Sequence, residues 1–150
     1  MDYTTKFFNK KQQMTCLKNM CENFANEADK DLNWDHWFNS VGGLVENGIA
    51  QCISLYCDKK LVGFTVISFF PDLISGQLYV TEGAFYIVPE HRNGKGFDFL
   101  LDVAEYQAKQ KQAKQINMIA LSSIKGGKAG LLYQRRGYKE LERVFFKRFD

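Results

Sequence analysis

The stretch VPEHRNGKGFDFLLDVAE, residues 88 to 105, constrains this chain more than any other. An apolar, β-like run ends at Val88, a polar turn carries Gly94 and Gly96, and an amphipathic helix opens near Gly96. That order fits an α/β class. It aims the unpaired backbone N–H groups of the helix start, with the positive end of the helix dipole, into one small space. Such a space holds an anion. The glycines let the backbone approach a phosphate closely, and Arg92 and Lys95 add charge. Two common phosphate loops do not fit. The P-loop needs Ser or Thr after its lysine, and Lys95 is followed by Gly96 and Phe97. A G-x-G-x-x-G fingerprint begun at Gly94 would need its third glycine where Phe99 stands.

Charge supports an anion partner for this half of the chain. Residues 1 to 90 carry seven Lys/Arg against eleven Asp/Glu, a net −4, whereas residues 91 to 150 carry thirteen against six, a net +7. The acidic half suits a cationic partner. Scattered solvated charge accounts for the same split.

Apolar spacing sets the remaining elements. YTTKFF (3 to 8) reads as a short strand, and apolar positions from 14 to 28 predict a helix over about 11 to 28. Asn33 caps a second helix, whose far end Gly42 and Gly43 weaken. AQCISLYC and KLVGFTVISFF read as strands joined by a hairpin at Asp58, and QLYVTEGAFYIV is a further strand ending before Pro89. The helix after the glycine turn buries Phe97, Leu100, Leu101, Ala104 and Ala108 on one face. INMIALSS reads as a strand, KAGLLYQRR as a short helix stopped by Gly137, and YKELERVFFKRF as one or two closing strands.

At 150 residues, with 45% hydrophobic content and two prolines, the chain is expected to form one ordered globular domain spanning residues 1 to 150. It carries neither a signal-peptide apolar region nor a run long enough for a membrane span, so a cytoplasmic location and no membrane partner are expected. Cys16, Cys21, Cys52 and Cys57 form two C-x4-C pairs, but only His36 and His91 are at hand to complete a metal site. Buried free thiols and no metal are the expectation.

A second block gives the glycine turn a context. KAGLLYQRRGYKEL, residues 128 to 141, resembles motif B of the GNAT superfamily of acyl-CoA-dependent N-acyltransferases, A-x-x-L-Y-x-x-x-G-[FY], through Ala129, Leu132, Tyr133, Gly137 and Tyr138. VPEHRNGKGFDFLLDVAE resembles motif A, in which V-x-P-x-x-R leads into the turn that grips the coenzyme A pyrophosphate. The resemblance runs from about Lys60 to Phe149. The glycine signature departs from [QR]-x-x-G-x-[GA]: counted from Arg92, Lys95 and Phe97 fill the glycine positions, and counted from His91 the glycines fit but the first residue does not. The longer turn resembles a phage-encoded branch. An Asn common before motif B is replaced by Gly126.

The resemblance implies a mixed, mostly antiparallel twisted sheet of six to seven strands flanked by about four helices. It implies acetyl-CoA as cosubstrate and direct transfer of acetyl to a primary amine in a ternary complex. Arg92, Asn93, Gly94, Lys95, Gly96 and Phe97 would form the pyrophosphate turn, and Lys128 would reach the 3′-phosphate unless it is simply solvated. A backbone N–H near Ile87 or Val88 would polarise the thioester carbonyl, with the pantetheine arm added along that strand. Tyr133 would protonate the departing thiolate, or else pack its ring in the core. Because a lysine-like amine is protonated at neutral pH, a base is needed, and Glu82 is the carboxylate available in its strand. Strand alternation points Glu82 to the opposite face unless a bulge intervenes. A solvated strand position is its other reading.

Trp34, His36, Trp37 and Phe38, with Asp31 and Asp35, belong to the segment that covers the acceptor in this fold, where they would suit a cation. For the aromatics, core packing is the alternative. The acceptor's identity stays open, and a homodimer is compatible with the resemblance. A route through a cysteine is disfavoured, since none adjoins the turn or Tyr133. A non-catalytic module binding coenzyme A or a protein is the competing class. Nucleic-acid binding by the basic C-terminal half is not expected, because the alternation there is what one buried strand face requires.

Overall fold

A computed structural model describes residues 2–92, 94–120 and 128–149. Strand β1 (Tyr3–Phe8) is followed by a 3-10 helix (Lys11–Leu17), which runs into α1 (Lys18–Glu27). Next come α2 (Trp34–Glu46), β2 (Ala50–Cys57), β3 (Lys60–Pro71) and β4 (Leu78–Ile87). A 3-10 turn (Pro89–His91) leads to α3 (Lys95–Gln110), β5 (Gln115–Asn117) and α4 (Lys128–Arg135).

The strands lie in the order β1-β2-β3-β4-β5. The first four form an antiparallel meander, and β5 adds parallel to β4 through the α3 crossover. The β2–β3 turn places Asp58 and Lys59 at φ 49° and 70°, the left-handed pair that matches the strand twist. The sheet buries both faces. Against α1 and α2 it sets Cys52, Phe64, Val66, Ala84 and Tyr86, with Met14, Leu17 and Met20 above them. Against α3 and α4 it sets Ile53, Leu55, Ile67, Val80 and Ile87, meeting Phe97, Leu100, Leu101, Ala104 and Tyr133. The α3 face predicted from spacing is therefore the one that packs.

The predicted first helix begins as 3-10, and Gln13 closes its start, its Oε1 accepting the backbone N–H groups of Asn9 and Lys10 at 2.8 and 3.0 Å. Asn33 caps α2, its Oδ1 accepting from the N–H of His36 at 3.0 Å. Gly42 and Gly43 do not end that helix. At Gly42 a Cβ would stand 2.5 Å from Cγ of Lys11, so the glycine is where the Lys11 stem crosses α2.

The strand count differs from the expected six to seven: the described residues form five. INMIALSS supplies only the end of β5, and its last residues lie outside the described set. The closing strands predicted for YKELERVFFKRF do not form; Val144, Phe145, Phe146 and Phe149 are 80–89% exposed. Alternation specifies a face for a strand but no neighbour, and no ladder takes up this one. Arg148 instead pairs with Asp29, its Nη2 donating to the Asp29 carbonyl at 2.9 Å.

Candidate active site

The second half of β4 carries the feature on which the site turns. Ile67 faces Glu82 and Val66 faces Ala84, so Gly83 has no partner on β3 and forms a bulge. A bulge shifts the side-chain alternation by one position. Accordingly Val80 packs with the α3 and α4 cluster, whereas Ala84 and Tyr86 pack with the opposite one. Glu82 shares the face of Val80, and its carboxylate is close enough to Tyr133 on α4 for its charge to act on the phenol.

Glu82 is 7% exposed and accepts a hydrogen bond from the backbone N–H of Ile119. Burial outweighs that bond and pushes its pKa up to about 8. The solvated-strand reading of Glu82 is therefore at odds with its burial. Tyr133 is likewise buried, its ring 5.2 Å from Phe97 and 5.3 Å from Tyr138. Burial, then the Glu82 charge, then Tyr138 raise its pKa and keep the phenol protonated. Tyr138 donates to Glu105 at 2.7 Å, and Arg136 pairs with Asp98, Asp102 and Glu105, which fastens α4 to α3.

Along its outer side β4 meets β5 only at Tyr79, Val80 and Thr81, so from Glu82 to Ile87 it has no described neighbour there. The N–H of Val88 is committed to the Val62 carbonyl at 2.9 Å. Neighbouring residues of a strand point their N–H groups in opposite directions, which directs that of Ile87 to the open side. Of Ile87 and Val88, Ile87 alone presents a donor there.

At the turn, Gly94 has φ +98°, a conformation L side chains rarely adopt, with nothing within 4 Å of where its Cβ would be. It caps α3 without a side chain, so the N–H groups of Gly96 and Phe97 in the first helical turn have no capping oxygen from it. The Asp98 N–H makes the first intrahelical bond, to the Gly94 carbonyl at 2.9 Å. Gly96 is packed closely, with a prospective Cβ 3.3 Å from the His91 carbonyl and 3.4 Å from the Tyr3 ring. Lys95 opens α3, and the Phe97 side chain is buried between Phe85 and Tyr133 rather than in the turn. Asn93 and the Lys128 side chain lie outside the described set.

The Arg92 side chain leaves the turn for α1. Its Nη1 and Nη2 donate to Glu27 Oε1 and Oε2, both at 2.7 Å, its Nε donates to the Ile87 carbonyl at 2.6 Å, and its guanidinium lies 5.1 Å from the Tyr86 ring. The positive charge expected to face a phosphate is thus held by a carboxylate. On the other side, Tyr3 Oη and His91 Nδ1 are 3.0 Å apart. Neither Glu27 nor Tyr3 could be found by local reading, since they lie 65 and 88 residues from their partners.

On α2, Trp34 stacks on Trp37 and Phe38, and Trp37 meets Phe64, so these aromatics form a wall joined to the core. Asp31, Asp35 and His36 are exposed. Cys21, Cys52 and Cys57 are buried free thiols, whereas Cys16 is exposed; no cluster able to hold a metal occurs among the described residues. No helix among them is long and apolar enough to cross a membrane. A groove of about 500 Å³ between Phe7 and the α3 residues Phe99, Asp102, Val103 and Tyr106 is separate from the open side of β4.

No protein-family model and no curated relative matches the sequence. Solved structures do match its fold. AAC(6')-Iy in complex with the bisubstrate analog CoA-S-monomethyl-acetylneamine superposes with a TM-score of 0.78 at 16% identity over 100% of this chain and 99% of that one. A ribosomal-protein-alanine N-acetyltransferase from Brucella melitensis biovar Abortus 2308 gives 0.75 at 17% identity, covering 99% and 100%. A GNAT family acetyltransferase from Staphylococcus aureus subsp. aureus USA300_TCH1516 gives 0.69 at 19%, covering 99% and 100%.

Proposed function

The chain has the fold of the GNAT acetyltransferases, and from that premise we propose that it moves an acetyl group from acetyl-CoA to a primary amine by direct attack in a ternary complex. The observation that carries this reading is the Gly83 bulge. It puts a buried carboxyl of raised pKa and a buried, protonated phenol on one face, beside a strand edge that leads to a glycine turn.

The open side of β4 suits the pantetheine arm, which can pair as an added strand. The turn at Gly94, Lys95 and Gly96, with the first N–H groups of α3, suits the pyrophosphate. The Ile87 N–H would polarise the thioester carbonyl. In its ionised form Glu82, directly or through a water, removes a proton from the ammonium so that the nitrogen lone pair can attack the carbonyl carbon. The tetrahedral intermediate collapses with loss of the C–S bond, the Tyr133 O–H protonates the leaving thiolate, and the second proton shed by the nitrogen restores the phenol, so that the products are the amide, the CoA thiol and the one proton that Glu82 passes to solvent. A carboxyl titrating near 8 is far better matched to an ammonium than an ordinary carboxylate. The acceptor is an amine whose class the acidic N-terminal half biases towards cations.

Thermal unfolding with and without acetyl-CoA tests the reading. A ligand at about 100 times its Kd adds roughly 2.7 kcal/mol, an upward shift of several degrees for a chain this size. No shift at millimolar acetyl-CoA or CoA would overturn it. A shift without turnover on any amine would favour the alternative, a GNAT-fold module that binds coenzyme A or a protein partner.

A further inference from the structure

Resting on that reading of the turn, we propose that Glu27 is a positioning residue for the coenzyme A site: it holds Arg92, and through Arg92 the end of β4, in the geometry the cosubstrate needs. Glu27 is the last residue of α1, where the helix dipole disfavours a negative charge, so local helix stability does not explain it. Its carboxylate makes a two-pronged pair with Arg92, and the two side chains are only 30% and 19% exposed. Paired, planar geometry of this kind fixes orientation as well as position.

What Arg92 then fixes matters for the site. Its Nε bond fastens the Ile87 carbonyl. A strand residue directs its N–H and C=O to the same side, so this is the peptide segment whose N–H faces the open edge. One turn earlier on α1, Phe24 meets the Tyr86 ring edge-on at 6.3 Å. Residues 24 and 27 of α1 therefore hold two residues on either side of Ile87, Tyr86 and Arg92. The pair ties α1 to the glycine turn that follows the Ile87 end of β4. It directs Arg92 to brace the turn rather than to contact phosphate.

The test is a double-mutant cycle on free CoA binding, measured calorimetrically well below the unfolding temperature, with wild type, Glu27→Ala, Arg92→Ala and the double variant. If Glu27 acts through Arg92, each single change weakens CoA about tenfold and the double variant is no weaker than Arg92→Ala alone. Glu27→Gln, which keeps the shape and loses the charge, should fall between wild type and Glu27→Ala. Wild-type affinity in Glu27→Ala, with only a lower melting temperature, would overturn the inference and leave an ordinary stabilising pair. Tighter CoA binding by Glu27→Ala would also overturn it, because Arg92 would then be a phosphate ligand that Glu27 withholds. Silence from the wild type itself would instead remove the coenzyme A reading beneath.

Discussion

Replacing Glu82 by Gln should flatten the pH dependence of folding stability. The folded-state carboxyl titrates near 8 because it is buried, against an ordinary 4.5. A carboxyl whose pKa is raised on folding contributes stability fully present below the unfolded pKa and lost as pH rises through the folded one. Between about pH 5.5 and 7.5 the unfolded chain carries the carboxylate and the folded chain the neutral acid. Folding then takes up one proton, and stability falls by roughly 1.4 kcal/mol per pH unit, on the order of 3 kcal/mol across that window. For a chain of this size that corresponds to a drop of about 5 to 10 °C in melting temperature. Gln is nearly isosteric, its Oε1 can still accept from Ile119, and it does not titrate. Other titrating groups cancel when the two proteins are compared at each pH. Urea unfolding of both proteins at several pH values in the window provides the assay. The same slope in Glu82→Gln and wild type, to within about 0.5 kcal/mol over the window, would mean that burial does not hold Glu82 neutral in the folded chain.

Three further outcomes follow from named contacts. Tyr133→Phe removes the O–H proposed to protonate the thiolate while keeping the ring against Phe97, so kcat for amine acetylation should fall about 10²- to 10⁴-fold with acetyl-CoA binding unchanged in calorimetry. Gly94→Ala places a side chain at φ +98°, and CoA affinity should drop about tenfold as the turn shifts to relieve strain on the order of 1–2 kcal/mol. Gly63→Ala would set a Cβ 2.6 Å from the Tyr86 carbonyl, pushing the end of β4 off β3; a loss of about 1–3 kcal/mol should appear in chemical denaturation.

How far the sequence carried these assignments depended on the range of the interaction. The Asn33 cap, the Asp58 hairpin and the glycine turn are local, and residue type at fixed spacing was enough to place them. The two motif resemblances indicated the fold that the superpositions bear out. The orientation of Glu82 was legible only as a condition, because a bulge is a property of the register between β3 and β4 and not of either strand alone. Arg92 was legible as a cation near the turn, but its engagement depends on a carboxylate 65 residues away. At residues 138 to 149 the pattern misled, because aromatic and basic residues spaced for a strand do not specify which edge receives them.

On the mechanism proposed, an amine is acetylated on the face shared by Glu82 and Tyr133. Release of CoA thiol from acetyl-CoA, followed against a panel of polyamines, aminoglycosides and peptide N-termini from about pH 6 to 9, tests it most directly. Amine-dependent release in the wild type should climb as Glu82 ionises near pH 8, and that release should collapse in Glu82→Gln. A protein that binds acetyl-CoA yet releases no thiol with any amine, or a Glu82→Gln variant with the wild-type rate and pH profile, would contradict it.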